Sequence, residues 1–167
     1  MSILRVFCTL LAVIITGAGT GEAQVPPNCT VETASDPDRQ ILACDFGVVL
    51  EMEAAAQMGF VDESQVVDLQ SGAVLIEAET GEARPQIRTP HAIAAVRGTI
   101  YVVDVTLDTT SVFVIEGEVA VSPASGGGEG VLLGSGEGVD VGSSGEIPEA
   151  SAWPTDRARA LLARFGR

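Results

Sequence analysis

The residues AVRGTIYVVDVTLDTTSVFVIEGEVAV, Ala95–Val121, decide the fold. Val96, Ile100, Tyr101, Val102, Val103 and Val105 make a run of β-branched and aromatic side chains, and Val112, Phe113, Val114 and Ile115 make a second. Asp108, Thr109 and Thr110 predict a polar bend between them, and Gly117 a corner before a third run that ends at Val121. A helix would crowd Val, Ile and Thr at almost every position, so no helical period is expected here. Both faces are apolar over 100–103 and 112–115. A strand at the rim of an open sheet has no use for two apolar faces, so these strands belong where both are covered.

Outward from this centre, the 167 residues suit one domain with a modest core. Aromatics are only 4 % of the chain, so Val, Leu, Ile and Ala must build that core. There are 23 acidic residues against nine basic ones, all arginine, and a net charge of −14. Between Gln24 and Asp156 the basic residues are Arg39, Arg84, Arg88 and Arg97. Such a surface repels phosphate backbones and excludes nucleic-acid binding.

Residues 1–23 read as a secretory signal. Arg5 supplies the positive start, Val6 to Ile15 the apolar core, and Gly21 and Ala23 the small residues before a cut at Gln24. The apolar run is well short of the roughly 20 residues a membrane span needs. Export removes Cys8 and leaves Cys29 and Cys44, an even pair for an oxidising compartment, so one disulfide is expected. It would staple the N-terminal arm to the first strand and contribute about 3 kcal/mol.

Residues 24–40, with Pro26, Pro27 and Pro37, read as an irregular arm, and 41–147 as the β domain. Phe46, Val48, Leu50 and Met52 alternate with polar positions as in a half-buried strand. Val66–Leu69 and Ala73–Ala78 read as two strands with a corner at Ser71-Gly72. Pro90 marks a strand end. Gly98, Gly117 and Gly136 recur at 19-residue intervals, each opening a β-rich segment, which suits a β-solenoid or a rolled sandwich. The loop Pro123–Gly130 lacks the lysine and hydroxyl of a phosphate cradle.

The tail, 148–167, reads as a short amphipathic helix. Thr155 or Asp156 would cap it, and Leu161, Leu162 and Phe165 would line one side. Arg157, Arg159, Arg164 and Arg167 are expected to meet the acidic body while the helix caps the open end of the β core. A docking peptide for a partner, or a weak peripheral contact with an anionic membrane, is the alternative.

Chemistry finds little material. No GxSxG elbow, HExxH or ordered triad is present. His91, beside Pro90, reads as an ordinary surface or corner residue. Glu77 with Glu79, and Glu116 with Glu118, read as solvated strand edges rather than cation ligands or an acid–base pair. Arg97, inside the apolar approach AAVRGT, reads as a structural latch, because a guanidinium there must be paired.

The segments TPHAIAAVRGTIYVV, TTSVFVIEGEVAV and VLLGSGEGVDV together resemble the FecR domain family. The resemblance rests on Thr89 and Pro90, then Ala95, Val96 and the triplet Arg97, Gly98 and Thr99, with Tyr101 and Val103. It continues through Thr110, Val112 and Val114 to Glu116 and Gly117, with Val119 and Val121. Leu133, Gly136 and Glu137 follow more loosely, and the similarity spans residues 66–141. It implies an all-β domain, solenoid-like or jelly-roll-like, with the short helix appended, and structural roles for Arg97, Gly98, Thr99 and Gly117. The best-known members relay signals between an outer-membrane iron-siderophore receptor and a cytoplasmic sigma factor, and carry an anti-sigma segment and a transmembrane helix before this domain. Here a cleavable signal stands in that place, so a standalone exported member is expected, without a span once the signal is removed. The expected function is a non-enzymatic protein-binding or signal-relay module of the bacterial envelope, in the periplasm or secreted, with an envelope protein as partner and no cofactor. Envelope glycan or ligand binding on the same scaffold is the alternative.

Overall fold

A computed structural model describes residues 28–45, 47–61, 66–80, 85–96 and 98–167. The secretory signal, the start of the arm, Phe46, Arg84 and Arg97 lie outside the described residues. In chain order the strands are β1 (Cys29–Ala34), β2 (Arg39–Cys44), β3 (Val48–Glu53), β4 (Gln57–Phe60), β5 (Val66–Ala78), β6 (Gln86–Arg88) and β7 (Ala92–Val96). They continue as β8 (Thr99–Val105), β9 (Thr109–Glu116), β10 (Val119–Pro123), β11 (Val131–Leu133), β12 (Glu137–Gly142) and β13 (Ser151–Ala152), before helix α1 (Thr155–Ala163).

The spine is β5. Two short strands with a glycine corner were expected over its length, but the ladder runs on through Gly72. Gly72 has φ +82°, and a Cβ there would lie 2.6 Å from the Ala56 Cα. A glycine can bend the strand at that point without ending it. Before the bend β5 pairs with β4 and, in parallel, with β6; after it β5 pairs antiparallel with β3 and β8. One bent strand therefore carries two halves of a single curled sheet. The first half runs β4 and β6-β7-β10-β11, and the second runs β1-β2-β3, then β8-β9-β12-β13. The result is an open half-barrel, mostly β, with one C-terminal helix. Its curl is barrel-like and not specifically that of a solenoid or a jelly roll; among the described pairs only β5·β6 is parallel.

The two halves face each other across the interior. Leu69, Ile87, Val119 and Leu133 come from one side, and Leu50, Val74, Ile76, Tyr101, Val103, Val112 and Val114 from the other. Alternation then sends Ala73, Leu75, Val102 and Phe113 to the outer face of the second half, where Leu161 and Phe165 cover them. Both faces of β8 and β9 are thus covered, as their sequence requires.

Three local expectations are corrected. Residues 29–44 are a β-hairpin rather than an irregular arm, with Cys29 directly opposite Cys44 and the two joined by a disulfide. The disulfide clamps the open end of that hairpin. The first central run is two strands, β7 and β8, in different halves of the sheet. The polar bend sits at residues 106–108, and Thr109 and Thr110 already belong to β9, because the Thr110 hydroxyl has partners in the interior.

Those partners include His91, which is buried rather than at the surface. Its Nδ1 lies 3.0 Å from Thr110 Oγ1, and Thr89 Oγ1 lies 2.9 Å from the same hydroxyl. Thr89 Oγ1 also accepts from Ala92 N and donates to the Ala92 carbonyl. Three buried polar side chains satisfy one another and lock the β6–β7 corner to β9.

Candidate functional site

The C-terminal segment packs on the outer face of the second half-sheet. Ala73 and Leu75 from β5, Val102 from β8 and Phe113 from β9 form its apolar floor. Acidic side chains project from the same face at alternate strand positions: Glu51 and Glu53 on β3, Glu77 on β5, Asp104 on β8 and Asp140 on β12. Like charges so arranged repel one another unless a cation lies between them.

The C-terminal segment supplies those cations. Arg164 donates from Nε and Nη2 to both carboxylate oxygens of Glu53, at 2.9 and 2.7 Å. It donates from Nη1 and Nη2 to Asp104, at 2.7 and 3.1 Å. Arg167 donates to Glu51 at 2.7 Å and also to Glu77. Glu51 accepts a further bond from Arg39 Nε at 3.0 Å. Burial works against the charge on Arg164 and Arg167, but their carboxylate hydrogen bonds outweigh it and hold both guanidinium groups above the ordinary arginine range.

At the other end of α1, Arg157 donates to both oxygens of Asp140, which also accepts from Ser111 at 2.6 Å. Burial pushes the Asp140 carboxyl up, yet the bonds from Arg157 and Ser111 prevail and hold it below the usual carboxylate range. The Arg157 guanidinium lies 3.5 Å over the Trp153 ring, and that ring stacks on Phe113 at 5.0 Å. Sheet, indole and guanidinium form three layers. Gly138 makes room for them, since a Cβ there would lie 2.4 Å from Trp153 Nε1.

The helix thus lies across the outer face rather than capping the open end of the core; Arg157, Arg164 and Arg167 meet the acidic body as expected, whereas Arg159 pairs with Asp156 within the helix. It starts after Pro154 without a side-chain cap bond, so the expected cap by Thr155 or Asp156 is absent. It ends through Gly166, at φ +72°, where Arg167 N donates to the Leu162 carbonyl. That closing turn aims Arg167 at Glu51 and Glu77.

A shallow groove of about 310 Å³ runs between α1 and the sheet, lined by Asp104, Ser111, Trp153, Arg157, Leu161 and Arg164. Each charged group in it is already in an ion pair, so the groove offers no free acid–base couple. Among the described residues, no group of three or more His, Cys, Asp or Glu is placed to hold a metal ion. Likewise, no helix among them is long and apolar enough to cross a membrane.

The sequence pattern of the family described as "FecR protein" matches residues 29–120, more than half of the chain. The chain belongs to the FecR family. FecR domains are regulatory rather than catalytic, and membership gives an extracytoplasmic location in general terms. Two crystal structures of a candidate anti-sigma factor from Parabacteroides distasonis ATCC 8503 share the fold. Their TM-scores are 0.60 and 0.61 at 19 % and 20 % identity, over 80 % of this chain. This chain spans 64 % of the length of those solved chains. A search of functionally curated proteins gave no match.

In this FecR domain Gly98 and Thr99 of the motif converge with the glycine corner at Gly117. Gly98 has φ +63° and Gly117 φ +90°, and a Cβ on Gly117 would lie 2.7 Å from the Gly98 carbonyl oxygen and 2.9 Å from Thr99 Oγ1. Thr99, buried, donates from Oγ1 to the Glu118 carbonyl at 2.9 Å. Gly98, Thr99 and Gly117 therefore sit at one corner, where β8 starts and β9 passes to β10. Arg97 lies outside the described residues. Glu116 and Glu118 flank the corner and are exposed, and Glu79 is exposed beyond the end of β5. Glu77 is the exception among the acidic pairs, since it receives Arg167. Of the outer-face carboxylates the sequence reading marks only Glu77; for Asp104 and Asp140 the available signal is an acidic residue inside an apolar strand, as in VVDV and GVDV.

Proposed function

We propose that the chain is an exported, non-enzymatic protein-binding or signal-relay module of the bacterial envelope, working in the periplasm or after secretion. The observation that carries this is the FecR match over residues 29–120, which takes in strands β1 to β9 and the start of β10. The resemblance of residues 1–23 to a secretory signal and the Cys29–Cys44 disulfide both support an oxidising compartment. The mature chain would begin at Gln24. The role of Arg97 as a structural latch stays with this proposal, and the corner formed by Gly98, Thr99 and Gly117 supports a structural role for those residues. Of the two finer architectures, the antiparallel pairing supports the jelly-roll-like one. The solved proteins of similar fold bear an anti-sigma name, which supports relay in general terms; the partner proposed here is an envelope protein.

Recognition by strand addition beside Val112–Ile115 has little support, because β8 pairs with β9 on one side, and on the other β12 pairs with it as far as Phe113 and Gly136 N donates to the Val114 carbonyl. A membrane contact through α1 has little, because Leu161 and Phe165 face the sheet. Photo-crosslinking of the mature protein in intact cells tests the reading. A defined protein adduct is expected. Retention on peptidoglycan or polysaccharide with no protein adduct would overturn it in favour of glycan binding.

A further inference from the structure

The outer face and the segment that covers it differ in origin within the chain. Nearly all of the face lies inside the family match: Glu51, Glu53, Leu75, Val102, Asp104 and Phe113. Helix α1 lies outside it. The face is an apolar floor with an acidic rim, and what sits on it is a short helix and its closing turn, with two apolar anchors, Leu161 on the helix and Phe165 in the turn, flanked by arginines. That is the chemistry of helix-in-groove recognition with charge complementarity.

The occupant is also loosely built. It has nine helical residues and no side-chain cap, and a helix of that length is marginal on its own. Residues 145–150, which lead to it, have no regular secondary structure, and β13 holds only two residue pairs against β12. Part of its attachment is through ion pairs whose arginines are a third or more exposed, which salt and competing cations weaken.

We infer that the acid-rimmed face of β3, β5, β8, β9 and β12 is a docking surface for a short arginine-bearing amphipathic helix of a partner protein, and that α1 is the resident occupant such a helix displaces. This rests on the protein-binding reading above and names the chemistry of its partner. Tethering places α1 at an effective concentration of about millimolar, so an incoming helix binds weakly until the tether is released.

The test uses the full mature chain and, as probe, a labelled synthetic peptide of residues 149–167 followed by fluorescence anisotropy. Leu161→Asp in the protein loosens α1 and leaves the face intact, and the peptide is expected to bind this variant at least about tenfold more tightly than the unmodified chain. Adding Glu53→Gln and Asp104→Asn is expected to abolish that gain, as is Arg164→Glu in the peptide. Equal peptide affinity for the unmodified and Leu161→Asp proteins would overturn the inference. Hydrogen exchange on the unmodified chain covers the case in which Leu161→Asp does not fold. The α1 amides should exchange at least about tenfold faster than those of β5 and β8, through local opening, and equal protection would overturn the inference. A protein adduct retained undiminished by Glu53→Gln/Asp104→Asn would refute this surface while leaving the protein-binding function standing. Helix exchange between two copies, seen as a dimer by light scattering, would replace the partner with a second copy and overturn the assignment.

Discussion

Arg164→Ala removes the group on which the outer face depends most. Its guanidinium makes four hydrogen bonds to two carboxylates, and the side chains of Glu53 and Asp104 are only 19 % and 20 % exposed. Breaking a buried pair by removing one partner costs about 3–5 kcal/mol, while exposed pairs are worth about 0.2–1 kcal/mol. Arg164 itself is 34 % exposed, so solvent screens part of the loss and the cost should fall between these limits, at about 2 kcal/mol. Most of it comes from the two carboxylates left facing each other, not from the lost bonds. Adding Glu53→Gln and Asp104→Asn to Arg164→Ala should therefore recover about half of the stability, although it removes more charge. Equilibrium urea unfolding followed by the fluorescence of Trp153, the chain's single tryptophan, measures both variants. A loss below about 0.5 kcal/mol for Arg164→Ala, within the range of a surface pair, would mean that Glu53 and Asp104 do not depend on Arg164. So would a triple variant less stable than the single one.

Three other perturbations probe separate links. Gly138→Ala puts a Cβ 2.4 Å from the indole nitrogen and 2.7 Å from the Val112 carbonyl oxygen, so the indole must leave; a red-shifted Trp153 emission and a loss of about 1–3 kcal/mol are expected. Tyr101→Phe should be neutral or stabilising in the same urea assay, because the Tyr101 hydroxyl is fully buried and has no hydrogen-bond partner among the described residues. Asp140 has a folded pKa held below its unfolded value, so its contribution is present above about pH 4 and lost as the pH falls through the folded value. The wild-type chain should lose stability across that acid window more steeply than Asp140→Asn, by less than about 1 kcal/mol because the pair is half exposed.

The centre of the fold was legible in the sequence because its signal is local. Valine-rich runs with two apolar faces demand cover on both sides, and the interior and α1 supply it. The arginine-rich tail and the acidic body were legible as complementary charges for the same reason. What escaped depends on pairing between distant residues. Nothing local shows that Gly72 bends a strand instead of ending it, since that depends on the new partners β3 and β8. Residues 29–34 carry mostly exposed side chains, so no apolar alternation announced a strand that is held by β2 and a disulfide. His91 looked like a surface residue because its partner, Thr110, lies 19 positions away. The acidic face had the same difficulty in a stronger form. Glu53 and Asp104 are far apart in the chain, and they become a site only when register sets β3 and β8 on either side of β5 and Arg164 arrives between them.

The outer faces of β5, β8 and β9 are apolar because the C-terminal segment lies on them. Nuclear Overhauser contacts in the mature protein test it most directly. Cross-peaks from the Trp153 indole to the Phe113 ring, and from the Phe165 ring to methyl groups of the Leu75–Val102 floor, are the predicted result. A well-folded sheet whose Trp153 and Phe165 protons show no such contacts would contradict it.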